Sequence, residues 1–136
     1  MQQPIKNGKL GFTFNSRYPF TWYFIKSGLA GRKHQAWDYI CPIGTLVYSP
    51  ERIQQYRVQD NHPDYGKVIY AASLDTPGIV HIFAHLSEIA DPKIGKLWQE
   101  GFLIGKTGNT GKSSAPHLHW ELRLNGVKVD PKLYFN

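Results

Sequence analysis

The run His117-Leu-His-Trp-Glu-Leu-Arg-Leu124 alternates polar and apolar residues without a break, and Asn125-Gly126 follows directly. Period-two alternation is the pattern of a half-buried β-strand. Asn-Gly is the strongest two-residue hairpin signal, because both central positions of a type I′ turn need positive φ. The segment therefore predicts a hairpin whose second arm is Val127 to Val129. Leu118, Trp120, Leu122 and Leu124 fall on one face as an apolar floor, and His117, His119, Glu121 and Arg123 fall on the other. Side chains two apart on a strand point the same way, so the two imidazoles stand side by side. Any fold containing this strand must set a core under it and leave nitrogen ligands above it. On its own, a histidine pair on a polar face fits an ordinary exposed strand as well as a binding site.

The rest of the chain reads mainly as further strands. Gly44 to Ser49, Lys67 to Ala72 and Val80 to Leu86 are rich in β-branched and aromatic residues. Phe102 to Lys106 predicts a short strand before the Gly108-Asn-Thr-Gly111 turn. Gly11 to Asn15 and Phe20 to Ile25 alternate weakly and are expected as early strands, and the polar stretch Glu51 to Lys67 as a lengthened hairpin or rim loop. Helix is confined to single turns near Leu86 to Ile89 and Pro131 to Phe135. With 13 glycines and nine prolines, the composition favours a turn-rich β protein over a helical one. The expected fold is mostly β: a compact antiparallel sheet or open barrel with a groove lined by a metal site. At 136 residues it is read as a single domain, 1–136, with no repeats or linker.

Six histidines are present: His34, His62, His81, His85, His117 and His119. His34 is followed four residues later by Asp38. Zinc takes imidazole nitrogen and carboxylate oxygen at about 2.0–2.2 Å, and catalytic sites use three such ligands with one position open. One histidine, one aspartate and one member of the distant pair make that set, and no cysteine cluster competes for the metal. His85, in Val80-His-Ile-Phe-Ala-His-Leu86, is a further imidazole available for proton transfer. A free imidazole titrates near ~6.5, suited to taking and returning a proton. The residues themselves leave open which member of the pair would bind metal and which would do chemistry. His81 shares the alternation of Phe83 and His85 and is either an outer contact of the site or an ordinary strand histidine; His62, in a polar turn, reads as a surface residue.

These residues carry a resemblance. The ordered series His34-x-x-x-Asp38, Gly44-Thr-Leu-Val47, Phe83-Ala-His85-Leu-Ser87, Gly101 to Gly111, Pro116-His-Leu-His-Trp-Glu121 and Asp130-Pro131 resembles the lysostaphin-type, LytM-like zinc metallopeptidases of peptidoglycan. The likeness spans about residues 30 to 135. It implies a zinc endopeptidase that hydrolyses stem or cross-bridge peptides, with zinc-bound water as nucleophile and one Zn(2+) per chain. By resemblance His34, Asp38 and His119 are the ligands, and His85 and His117 assist the attacking water. It also implies an upstream tyrosine that helps stabilise the oxyanion, for which Tyr18 and Tyr23 are candidates; Trp37 is a further groove candidate. The chain departs from the family pattern at Ala36, where glycine is common, and at Phe83, where tyrosine is frequent. The alternative is a catalytically silent zinc-binding relative that binds wall or a partner enzyme, against which all five key positions are filled.

Charge and composition narrow the partners. The net charge is +6, but the lysines and arginines are scattered and no nucleic-acid motif is present. A peptidoglycan peptide, with anionic wall polymers beside it, is the expected partner, and nucleic acid is not. No stretch approaches the ~18 apolar residues of a membrane span. The N-terminus, Met-Gln-Gln-Pro-Ile-Lys-Asn-Gly, lacks an apolar signal core. Action at the cell wall, extracellular, periplasmic or phage-delivered, then calls for a non-standard route or a leader outside this chain. Cys41, the single cysteine, rules out an internal disulfide and reads as a small buried hydrophobe.

Overall fold

Asn125 and Gly126 adopt φ of 50° and 85°, and the strand pair they join is the predicted hairpin, with Val127 opposite Leu124. The computed structural model describes residues 1–135. In chain order the elements are β1 (Lys9–Leu10), α1 (Trp22–Lys26), β2 (Trp37–Ile40), β3 (Leu46–Tyr48), β4 (Ile53–His62) and β5 (Gly66–Ser73). They continue with β6 (Ile79–Ile89), β7 (Leu97–Trp98), β8 (Leu103–Thr107), β9 (His117–Leu124), β10 (Val127–Val129) and a 3₁₀ turn at Pro131–Tyr134. All strand pairings are antiparallel. The strands form one open sheet in the order β1-β2-β9-β6-β5-β4-β7, with β10 on β9 and β8 bridging β3 and β6. It does not close into a barrel.

Alternation sorts β9 as expected. Leu118, Trp120 and Leu122 are fully buried in a core shared with Tyr39, Ile69, Phe83, Leu86 and Ile104. Burying side chains of this size stabilises by about 1.5–3 kcal/mol each before entropy is charged against it. On the other face a smaller cluster of Val68, Ile82 and Ala84 supports the polar side chains. The stretch after Glu51 is a lengthened hairpin of β4 and β5, whose register shifts twice. Asp130 caps the final turn by accepting from the Lys132 backbone N–H at 3.0 Å, with Pro131 at the position where its missing donor costs nothing.

Three local expectations fail. Phe20 to Ile25 is no strand but leads into α1, where Ile25 N–H donates to Thr21 C=O at 2.9 Å. Strand propensity counts only where a neighbouring strand accepts the ladder. Here there is none, and Phe20, Trp22 and Ile25 stand exposed. Gly11 to Asn15 likewise forms no named strand and turns through Asn15 at φ 70°. Leu86 to Ile89 is no helical turn: it extends β6 and pairs with β8.

The most consequential irregularity lies in β6. β9 pairs with β6 as far as Ala84, and β8 takes over the same edge from Leu86. Between them His85 sits at φ 61°, in the left-handed region rarely occupied by residues other than glycine. On the β5 side Ile69 faces Phe83 while Lys67 faces Leu86, so β6 carries one extra residue there, a β-bulge. The extra residue turns His85 onto the face of His117 and His119 and returns Leu86 to the core. His81, ahead of the bulge, stays on the core face. The shared face for His81 and His85 that alternation predicts is therefore broken by the bulge.

Candidate active site

Register places the first two site residues. Asp38 in β2 lies directly opposite His119 in β9, and its Oδ1 is 2.9 Å from His119 Nδ1. His34 comes in on the extended segment before β2, fixed by His34 N–H to Ser16 C=O at 2.7 Å. Its Nε2 lies 3.2 Å from Asp38 Oδ2. One ligand atom from each of His34, Asp38 and His119 falls within 4.8 Å of the others.

The trio's chemistry fits a cation. His34 is 1% exposed, and neither ring nitrogen makes a well-aligned hydrogen bond among the described residues, Nε2 having only the Asp38 oxygen at 3.2 Å and Nδ1 nothing. A buried polar atom left unpaired costs about 1–3 kcal/mol, so this ring calls for something to bind. His119 Nε2–H donates to Glu121 Oε1 at 3.1 Å, which leaves the Nδ1 lone pair facing the Asp38 carboxylate. A lone pair and a carboxylate oxygen at that separation need a proton or a metal between them. Burial opposes a charge on His119, yet the hydrogen bonds of Asp38 and Glu121 push it up to about 9. Burial likewise opposes the Asp38 charge, but His119 and His34 hold it well below the usual carboxylate range. Two imidazoles and a carboxylate suit zinc.

Glu121 is the residue that sequence reasoning left without a role. Its carboxylate is 1% exposed and accepts from His119, from the Tyr65 hydroxyl at 2.9 Å and from Arg123 Nε at 2.7 Å. Burial would raise it, but His119, Lys128 and Arg123 hold it at about 2. Its place on the His117/His119 face was visible in the alternation; its partners were not.

His85 and His117 are held alike. His85 Nδ1–H donates to the Thr110 carbonyl at 2.7 Å, and His117 Nδ1–H to the Ala115 carbonyl at 2.7 Å with Ser113 Oγ 3.1 Å away. A carbonyl only accepts, so both rings donate from Nδ1 and turn Nε2 away from those carbonyls. The rings lie 4.7 Å apart, and His117 Nε2 is 3.7 Å from Asp38 Oδ2. Burial, with His117 beside it, pushes His85 down to about 4, so it is neutral at physiological pH. Thr110 is itself pinned: its hydroxyl donates to Leu86 C=O at 2.8 Å and accepts from Lys67 N–H at 3.0 Å. This requires Gly66 and Gly111 to pass backbone to backbone. A Cβ on Gly111 would meet Gly66 N, and its φ of 73° would strain any other residue.

These groups open into a cleft of about 660 Å³. Tyr18 and Tyr23 both line it, but Tyr18 is the one against the trio, its ring 5.4 Å from that of His34. Burial and the nearby Asp38 charge raise the Tyr18 hydroxyl, keeping it a proton donor. Two candidates lie elsewhere. Trp37 is in the core, stacked on Phe135 at 5.5 Å and edge-on to Trp120. His81, fully buried, takes a hydrogen bond from Trp120 Nε1 at 3.1 Å and lies 2.6 Å from Glu51 through Nε2, beneath the sheet.

The model of peptidase family M23 matches residues 32–131, a stretch that holds the trio, His85 and His117. The chain belongs to peptidase family M23. This M23 domain is 34% identical over 101 residues to the DD-carboxypeptidase/endopeptidase Mpg of Neisseria meningitidis serogroup B, covering 74% of the chain and 22% of that relative. It thus spans about a fifth of that curated relative's length. Among solved structures it is similar to the catalytic domain of lysostaphin from Staphylococcus simulans, with TM-score 0.78 and 25% identity over 94% of this chain and 92% of that one. A zinc-containing peptidase from Vibrio cholerae superposes with TM-score 0.78 and 26% identity, covering 94% of this chain and 37% of that chain.

Proposed function

We propose that this M23 domain is a zinc-dependent endopeptidase that cuts peptide bonds in the stem or cross-bridge peptides of peptidoglycan. The observation that carries the reading is the pair of imidazoles, His85 and His117, each tied at Nδ1 to a backbone carbonyl, beside the His34–Asp38–His119 trio. In this reading His34, Asp38 and His119 hold one zinc ion. Zinc there would supply Lewis acidity towards the scissile carbonyl and acidify water to a pKa near ~7.

The chain's own groups then divide the work. Of His85 and His117, each fixed at Nδ1 by a backbone carbonyl, one accepts the proton of the attacking water at Nε2 and returns it to the departing amine nitrogen, while the other holds that water in place. Tyr18 donates its hydroxyl to the carbonyl oxygen as negative charge develops. Glu121 orients His119 through Nε2 so that Nδ1 faces the metal. No helix among the described residues is long and apolar enough to cross a membrane. The family and the names of its relatives support action on the wall, extracellular or periplasmic.

Digestion of purified peptidoglycan of two cross-link chemistries, with zinc-loaded protein and a chelator control, tests this. Chelator-sensitive release of fragments supports the reading, and product masses name the bond. Intact wall of both kinds, with zinc bound, would refute it in favour of a silent relative that only binds.

A further inference from the structure

Among the residues lining the cleft, Lys112 is the one lysine or arginine; the other charged side chains there besides the histidines are Asp38 and Asp64. Its backbone is held firmly. Lys112 N–H donates to Asp64 C=O at 2.9 Å, and the neighbouring Gly111 is locked against Gly66. Its side chain crosses the cleft, with Nζ 3.4 Å from the Ser27 carbonyl at the end of α1, 85 residues away in sequence. That long contact with a neutral carbonyl is a weak one. Like several surface lysines, Lys112 has no carboxylate partner among the described residues, and it is the one that lines the cleft. A cation anchored at its base, unpaired at its tip and laid over a groove is placed to take an anion from whatever enters. The facing wall, with Phe12, Phe24, Leu29 and Ile40, offers no competing charge.

We infer that Lys112 sets substrate class: it selects wall peptides carrying a free carboxylate within a residue of the scissile bond over uncharged segments such as oligoglycine. The inference rests on the endopeptidase reading above. On binding, the ammonium exchanges the Ser27 carbonyl for the substrate carboxylate, a stronger, charge-assisted partner.

The test uses the zinc-loaded chain and two cross-linked peptides, identical except that one bears a carboxylate and the other a carboxamide beside the cleaved bond. For the native chain kcat/KM should favour the acid by about tenfold at low salt, mainly through KM, and the preference should shrink at high ionic strength. In Lys112→Met the acid-to-amide ratio should fall close to one, and Lys112→Arg should restore most of it. Lys112 is exposed, so both variants are expected to fold, which thermal melting checks. A ratio unchanged in Lys112→Met, or no preference in the native chain while both peptides are cut, overturns the inference and leaves the endopeptidase reading standing. Cleavage of neither peptide, nor of oligoglycine, by zinc-loaded protein sinks both.

Discussion

Replacing Glu121 with glutamine keeps the side chain's shape and removes one charge, and the consequences follow from its three donors. Oε1 accepts from His119 Nε2–H and the Tyr65 hydroxyl, and Oε2 from Arg123 Nε. A glutamine presents one oxygen and one NH₂. With the oxygen towards His119, the amide hydrogens face the Arg123 donor; flipped, His119 loses its acceptor. Holding Glu121 at about 2 instead of its usual 4.5 means the fold favours the ionised form by about 3 kcal/mol. One lost charge-assisted bond of about 1.5–3 kcal/mol is therefore the expected stability loss. Removing such an outer support costs metal affinity about 10–100-fold. Competition with a chromogenic zinc chelator at pH 7.5 reads the affinity and thermal melting reads the stability. Glu88→Gln, with its side chain 60% exposed, serves as control and should change stability by less than about 0.5 kcal/mol. If Glu121→Gln lowers the melting temperature but leaves zinc affinity within twofold, Glu121 does not orient His119 and the argument from its hydrogen bonds is wrong.

Alanine at His34, Asp38 or His119 should abolish stoichiometric zinc binding, measured by elemental analysis after dialysis. Alanine at His85 or His117 should keep the zinc while slowing cleavage by about 10²–10⁴-fold; full activity in either would remove it from the proposed proton transfer. His85 also predicts a pH dependence. Its folded value of about 4 lies below the unfolded ~6.5, so the unfolded chain takes up the proton first. Metal-free protein should then lose stability as pH falls from 6.5 towards 4, by up to about 3 kcal/mol. Over that window the raised His119 contributes a constant amount, because its contribution is lost only as pH rises from 6.5 through about 9. Denaturant titrations at pH 7 and 4.5 should show the loss in the native chain and a smaller one in His85→Gln; equal losses would assign it elsewhere. Gly111→Ala should destabilise by at least ~2 kcal/mol, since its Cβ would meet Asp64 O at 2.6 Å at a φ of 73°. A melting temperature within a degree of native would show that the loop yields freely.

What the sequence determined by itself is local and periodic. Alternation from His117 to Leu124 dictated a strand with a buried floor and an imidazole face, and Asn125-Gly126 its turn, because pleat and turn dihedrals are set within a few residues. His34, Asp38 and one histidine of the pair were legible as donor types that suit a metal, while the residues alone left open which member of the pair joins them. Tertiary structure decided which groups meet and how they are aimed. Period two assigned His85 to the face of His81, and only the change of partner from β9 to β8 explains the left-handed bulge that turns it into the cleft. The strand propensity of Phe20 to Ile25 lost to helix because no strand edge was there to receive it. Tyr18 rather than Trp37 reached the cleft, since β2 spends Trp37 on the core. The orientation of His85, His117 and His119 was settled by acceptors at Thr110, Ala115 and Glu121. Thr110 stands 25 residues from His85, and a hydrogen bond of that reach belongs to the folded chain, not to any window of its sequence.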